Sequence, residues 1–303
     1  MKFDVIGFGA LNVDKLYKVN KIAREDEESF ILGLQERSGG SAANTTVGLA
    51  RLGLKTGYIG KIANDSGGKL LLKDFEKEKV DTNGIIIAPT GRSGVVTGYV
   101  DIKGQRALYV DPGVNDTLEF EEIILEYASQ TEFLHLTSFV GERPFKAQNK
   151  LVKGLSKIKV SLDPGEIYAR KGLSALKTLI ERSFVVFPNE GEVRMITGKE
   201  LKEGSEILLK KGAGIVAVKL GEKGCYVADG NESHLVEPYQ TKVVDTTGAG
   251  DAFCAGFLYG LIKGKDLHNC ARLGNFVASR SITEIGARSG LPTQKDVQIS
   301  FRH

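Results

Sequence analysis

The segment Val243-Val244-Asp245-Thr246-Thr247-Gly248-Ala249-Gly250-Asp251-Ala252-Phe253-Cys254-Ala255-Gly256-Phe257 is the most informative stretch of this chain. An apolar pair runs into small and hydroxyl residues, then into a helix-like apolar stretch that continues to Lys263 and stops at Gly264. Gly248, Ala249 and Gly250 fall where that helix begins. Their N–H groups lack intrahelical partners and, with the helix dipole, make a site for negative charge. Asp251 sits on the first turn of the same helix. A carboxylate beside an anion hole would repel a simple anionic ligand. It makes chemical sense where it takes a proton from a hydroxyl that attacks a phosphoryl group held by the amides. The plainer reading, a glycine-rich turn with an acidic residue at a helix start, stays open at this point.

Outward from this turn, short β-branched or aromatic runs alternate with longer amphipathic segments, the mark of βα units in a parallel sheet. The runs predict strands over Phe3–Gly7, Thr56–Ile62, Glu132–Leu136, Lys159–Asp163, Phe184–Pro188, Gly214–Leu220 and Gly224–Ala228. Helices are predicted over Ala42–Leu52, Gly67–Lys79, Leu173–Arg182 and Ala249–Lys263. Two stretches break the rhythm: Val13–Arg37, and the hairpin-like Val95–Ile102, Lys103-Gly104, Gln105–Val110. They predict antiparallel strands that pair with each other outside the main sheet, over the strand ends where open α/β folds bind ligands. The fold class is therefore α/β, a Rossmann-like, mostly parallel sheet with helices on both faces plus a small β-sheet lid. Residues 1–12, 38–91 and 112–303 are assigned to the catalytic α/β domain, and residues 13–37 and 92–111 to the lid.

Composition removes whole classes of function. Lys+Arg 41 against Asp+Glu 38 leaves a net charge of +3, without the clustered basic face of a nucleic-acid binder. No apolar run approaches the roughly 18 residues of a membrane helix. Met1-Lys2 leads straight into a strand with no leader-like apolar region, which reads as a mature, cytoplasmic start. Cys225, Cys254 and Cys270, an odd set without C-x-x-C spacing, read as buried thiols rather than disulfides or zinc ligands. His135, within Phe133-Leu134-His135-Leu136, reads as a hydrogen-bonded strand histidine rather than a catalytic base. Gly48-Leu49-Ala50-Arg51-Leu52-Gly53-Leu54-Lys55-Thr56 has one residue too many for a Walker A loop, and Gly48 lies inside a helix.

Two further segments read as binding turns. Ser38-Gly39-Gly40-Ser41-Ala42-Ala43-Asn44 opens a helix; its glycines let a ligand approach the backbone, and Asn44 can donate to and accept from a pair of sugar hydroxyls. Gly7-Phe8-Gly9-Ala10-Leu11-Asn12-Val13-Asp14 begins like a dinucleotide fingerprint, but Asn12 replaces the third glycine and no helix-like pattern follows. Asn12 and Asp14 read as polar groups at the carboxyl end of a strand, facing a ligand or forming an Asx turn into the lid. A dinucleotide-dependent oxidoreductase using Gly7-x-Gly9 is the rival from another class.

Taken jointly, these residues resemble the ribokinase-like (PfkB-type) family of sugar and nucleoside kinases over essentially the whole chain. Gly39-Gly40 with Asn44 and Ala50-Arg51-Leu52-Gly53 looks like the family's first signature, and Asp245–Phe253 looks like its second. The resemblance implies transfer of the γ-phosphoryl group of ATP, with Mg²⁺, to a hydroxymethyl group of a furanose-type sugar or, as the alternative, to a nucleoside. It implies Asp251 as base, Gly248, Ala249 and Gly250 as anion hole, and Asn12, Asp14, Gly40 and Asn44 at the acceptor. Pro188-Asn189-Glu190-Gly191-Glu192 resembles the family's Asn-x-x-Glu element, which implies Glu192 organising the waters of Mg²⁺ and Asn189 near the phosphates. Lys219-Leu220-Gly221-Glu222-Lys223-Gly224 looks like the strand-turn that carries the nucleotide, through Gly221 and Gly224, and Asn275 matches a position near the adenine. Thr283–Gly290 resembles a loop that holds a monovalent cation, with Asp245 beside it, but Gly290 stands where potassium-activated members often have Ser, so K⁺ is left open. Thr137 and Ser41 depart from the residues of ribokinases proper, which leaves the acceptor open, as it leaves a homodimer through the lid.

Overall fold

The computed structural model describes residues 2–301. In chain order its strands are β1 Phe3–Phe8, β2 Asn12–Val19, β3 Ile31–Gly39, β4 Thr56–Ala63, β5 Asp81–Ala88, β6 Gly94–Val100, β7 Arg106–Asp111, β8 Thr131–Thr137, β9 Lys159–Asp163, β10 Ser183–Val186, β11 Ile215–Lys219, β12 Cys225–Ala228 and β13 Ser233–Val236. The helices are α1 Ser41–Arg51, α2 Ser66–Lys77, α3 Leu125–Ala128, α4 Glu142–Gly154, α5 Gly165–Ala169, α6 Gly172–Arg182, α7 Glu190–Thr197, α8 Leu201–Lys210, α9 Ala249–Ile262, α10 Leu267–Ser281 and α11 Gln294–Ser300.

Among the described residues the strands form two sheets. The larger runs β13-β12-β11-β10-β9-β8-β1-β4-β5, parallel from β5 to β11 and antiparallel at β12 and β13. Its strands are apolar on both faces because both faces are covered. Val47 of α1, Phe75 of α2, Phe257 of α9 and Leu273 of α10 fill one side, while Leu151 of α4, Leu179 of α6 and Leu208 of α8 fill the other. The chain runs outward from β1 in both directions, which puts the topological switch point beside β1. In open α/β sheets that crevice is where ligands bind.

The smaller sheet, β3-β2-β6-β7, corrects the expectation of purely antiparallel strands in the lid. β2 pairs with β3 antiparallel and β6 with β7 antiparallel, but the two hairpins join through a parallel β2–β6 pair, Asp14 opposite Val96. Both β2 and β6 leave the main sheet at the same end and travel the same way, so their contact must be parallel. The turn between β6 and β7 is also longer than Lys103-Gly104: Asp101 Oδ1 accepts from the Lys103 and Gln105 N–H groups, each at 2.9 Å, and closes a five-residue loop. Two strands went unpredicted, β5 and β13. Asp81, Asn83 and Gly84 disguise the first as a turn, and the second is short and mostly exposed. Lys79, predicted as the end of a helix, takes a left-handed φ of 60° just beyond α2, as Gly53 and Gly264 do elsewhere.

Candidate active site

Gly248 is the N-cap of helix α9, with a left-handed φ of 76°, and the Ala249 N–H that follows donates to the Thr246 carbonyl at 3.2 Å. A Cβ on Gly248 would press into Ala287, so glycine is required there by the fold. Gly250 differs. The three atoms nearest to a Cβ built on it are Nζ, Cδ and Cε of Lys219, at 3.5, 3.6 and 3.9 Å, which is ordinary contact. Its backbone would accept a side chain; the space in front of it is what alanine or valine would take.

The rest of α9, Ala252 through Gly260, is buried, and this draws Asp251 into the interior. Burial pushes its carboxyl up to about 6, against hydrogen bonds from Ser41 and Asn44 that favour the charged form. Ser41 Oγ donates to Oδ1, and Asn44 Nδ2 donates to Oδ2 at 2.8 Å. Both donors come from the first turn of α1, which Gly40 starts with a φ of 102° and a Cα packed on the Ala10 carbonyl. The carboxylate therefore lies between the two glycine-rich turns, with its proton-accepting oxygens oriented from the α1 side.

Asn44 is more committed than its sequence suggests. Its Oδ1 accepts from Arg288 Nε at 2.8 Å, so the amide forms a bridge between Asp251 and Arg288 and has one N–H left for an acceptor. Arg288 is in turn ion-paired with Asp74 of α2 and faces Asp14. Asp14 packs against the Gly39 Cα, and burial raises it to about 6, with Arg288 opposing. Asn12 is tied through Oδ1 to Asn115 Nδ2 at 3.1 Å, and Asn115 also holds both the N–H and C=O of Leu11, fastening the start of β2. A cleft of about 300 Å³ adjoins this group, lined by Asp14, Arg37, Thr247, Gly286 and Arg288 among others.

On the other side of Asp251, the carboxyl ends of β9 and β11 supply two residues that the sequence reading did not single out as chemical. Lys219 Nζ lies 2.6 Å from Asp163 Oδ2, and the Cys254 thiol approaches the same oxygen at 3.5 Å. Their signal was positional: Asp163 ends one predicted parallel strand and Lys219 is the last residue but one of another, where such folds place functional groups. Beyond them Asn189 and Glu192 form a reciprocal cap on α7. Asn189 Oδ1 accepts from the Glu192 N–H at 2.9 Å, while Glu192 accepts from the Asn189 N–H and Nδ2 at 2.8 and 2.9 Å. Burial, then the charge of Asp163, raises the Glu192 carboxyl above its usual range.

Four candidates lie apart from this cluster. Asn275 donates both amide hydrogens to the Val236 and Glu237 carbonyls, at 3.0 and 2.9 Å, and the Gly224 Cα packs on the same Val236–Pro238 segment. Both residues thus shape that edge through the backbone. Gly221, with a φ of 60°, faces open space. Asp245 stitches two loops together: Oδ1 accepts from the Thr247 N–H and Oγ, and Oδ2 from the Gly286 N–H at 2.8 Å. A hydroxymethyl group at Gly290 would meet the Arg280 and Ser281 carbonyls. His135 is not fully satisfied: Nδ1 pairs with Ser161 Oγ at 3.0 Å, while buried Nε2 has no partner. Gly7 and Gly9 are explained by packing, since Cβ atoms there would strike Thr46, Thr137 and Ala42, and a strand follows them instead of a helix. The dinucleotide reading loses its motif.

Comparison with known proteins gives this geometry its setting. The pfkB family carbohydrate kinase pattern matches residues 2–294. A protein of Archaeoglobus fulgidus named an uncharacterized sugar kinase is 46% identical over 82% of this chain and its own full length. An ATP-dependent ribose-1-phosphate kinase of Halopiger xanaduensis is 31% identical over 94% of both chains. The crystal structure of a Thermotoga maritima ribokinase superposes with a TM-score of 0.89 at 27% identity, covering 99% of this chain and all of that one. Proteins of this family use ATP as co-substrate. A buried carboxylate between two glycine-rich helix starts, on a ribokinase fold matched from end to end, leaves one conclusion: the chain belongs to the pfkB family of carbohydrate kinases and is a phosphotransferase.

Proposed function

We propose that this protein transfers the γ-phosphoryl group of ATP to a hydroxymethyl group of a small furanose-type sugar. The observation that carries the reading is Asp251, a carboxylate raised to about 6 and hydrogen-bonded from Ser41 and Asn44, on the first turn of α9 beside its glycine-rich start. Its oxygens take the proton of the acceptor hydroxyl. The Gly248 and Gly250 amides receive the charge of the transferring group; the Ala249 N–H, expected to share it, is bonded to the Thr246 carbonyl at 3.2 Å. Asn12, Asp14, Gly40 and Asn44 orient the acceptor, and the lid excludes water. Gly221 supports the nucleotide directly, and Gly224 and Asn275 support it through the segment they hold.

Mg²⁺ fits the residues present. Among the described residues no three or more His, Cys, Asp or Glu side chains converge as ligands, but Glu192 and Asp163 offer hard oxygens toward the phosphates. A nucleotide-borne Mg²⁺ needs one or two carboxylates, here through its waters, and when bound it neutralises phosphate charge. Potassium is left out of the proposal, because the Asp245 oxygens take N–H and O–H donors and Gly290 leaves no room for a hydroxyl ligand.

A nucleoside is the second reading. Val96 and Val110 share with Asp14 the same face of the lid sheet, an apolar surface that a base on C1 could use. Ile31, Leu34, Leu108 and Tyr109, all exposed on the lid, support pairing of two copies there, which sedimentation equilibrium measures. No helix among the described residues is long and apolar enough to cross a membrane, and three free buried cysteines suit the cytoplasm.

The test is a coupled assay with ATP and ADP as donors against free pentoses and hexoses, ribose 1-phosphate and nucleosides. Ribose 1-phosphate belongs in the panel because the Halopiger relative bears that name. Turnover of a sugar with ATP supports the reading; turnover confined to nucleosides replaces it with the second.

A further inference from the structure

We propose that the ammonium group of Lys219 is a catalytic phosphoryl ligand, donating to a non-bridging oxygen of the transferred group beside the Gly248 and Gly250 amides. The inference rests on the kinase reading above and adds to it a side-chain cation. Lys219 ends β11; its N–H is bonded to the Pro188 carbonyl at 2.9 Å, which fixes where the stem starts. The stem then runs along the first turn of α9, close enough that a methyl group on Gly250 would touch Nζ, Cε and Cδ. Nζ thus lies 3.5 Å from the position of a Gly250 Cβ, beside the start of α9 where the transferred group is proposed to sit.

The donor count points to a ligand. An ammonium has three N–H bonds, and the protein takes one of them, through Asp163 Oδ2 at 2.6 Å. The side chain is 16% exposed. A buried ion pair serving stability alone would gain little over apolar packing. Here it keeps a cation charged among carboxylates: burial opposes the charge, but Asp163, then Cys254 and Glu192, outweigh it and hold Lys219 above its ordinary range. Its field also reaches Asp251 and favours the ionised base.

In the step, the acceptor O–H gives its proton to Asp251 while its oxygen bonds to the γ-phosphorus. The bond from phosphorus to the β,γ-bridging oxygen breaks, and ADP leaves with that electron pair. Lys219 keeps its proton throughout and neutralises charge on the group in flight.

The experiment compares wild type with Lys219→Met. Turnover of the best acceptor should fall roughly 10²- to 10³-fold with acceptor KM within about threefold. By calorimetry, without acceptor, the dissociation constant of Mg-ATP should rise at least about tenfold and that of AMP, which lacks the contacted phosphate, stay within about twofold. In Lys219→Ala, methylammonium should restore turnover in a concentration-dependent way, which a bracing role would not allow. If Lys219→Met fails to fold because Asp163 is left unpaired, Lys219→Gln, whose amide N–H can still donate to Asp163 without carrying a charge, takes its place. Turnover within threefold of wild type, or equal weakening of ATP and AMP, overturns the assignment. Should wild type phosphorylate nothing in the panel, the kinase reading fails separately, and the ATP-against-AMP comparison still decides for or against Lys219.

Discussion

Asp251 has its carboxyl raised to about 6 because burial disfavours its charge. The base acts deprotonated, so kcat/KM should be lost as pH falls through about 6 and be flat above it. Withdrawing a donor that favours the charge, as in Ser41→Ala, should shift this acid limb to higher pH. Asp251→Asn should cost about 10²- to 10⁴-fold in kcat with ATP binding nearly intact; a loss under fivefold would remove it as base. The two glycines beside it are expected to fail differently. Gly248→Ala meets Ala287 at a left-handed φ and should lower Tm, whereas Gly250→Ala is accommodated by the backbone and should lower kcat about 10²-fold at nearly unchanged Tm. Thermal melts beside initial rates separate them. Sequence made Asp251 and its glycines legible because a helix start dictates where amides point. It could not show that Asn44 is spoken for, because Arg288 reaches it from 244 positions away.

At the level of elements, α7 shows how one side chain serves two purposes. Glu192 caps its own helix through the Asn189 N–H and faces Asp163 across the crevice. Glutamine also completes a capping box, so Glu192→Gln should leave Tm within a few degrees. The Mg²⁺ concentration for half activity should rise, with acceptor KM unchanged. The reverse pattern, an unchanged Mg²⁺ titration with a raised acceptor KM, would move Glu192 to the acceptor side. Strands such as β11 and β12 were readable because burial on both faces leaves an unbroken apolar run. β5 and β13 were not: the turn chemistry of Asp81, Asn83 and Gly84 leaves β5 only the short run Ile85–Ala88, and β13 is four residues and mostly exposed.

For the whole molecule, the alternation of runs gave away the layered sheet, and the two interruptions gave away a second one; the sense of β2 against β6 stayed hidden, since pairing direction depends on where both strands depart. Arg37 of β3 ties that second sheet to the opposite loop, through the Ile285 carbonyl and Ser289 Oγ. The parallel β2–β6 pair has a consequence for assembly in time. Its partners are separated by about 80 residues containing α1, β4, α2 and β5, so closing it demands a large entropic loss before any contact repays it. The lid should therefore be a late product of folding, formed only after the sheet has brought the two departure points side by side. Pulse-labelled hydrogen exchange during refolding should show amides of β1, β4 and β8 protected ahead of those of β2 and β6. Simultaneous protection would show instead that the hairpins pair early and guide the core. With the expected order, a refolding chain builds the crevice beside β1 before it sets Asp14 over it, so under the proposed roles the means of activating a hydroxyl would precede the means of choosing one.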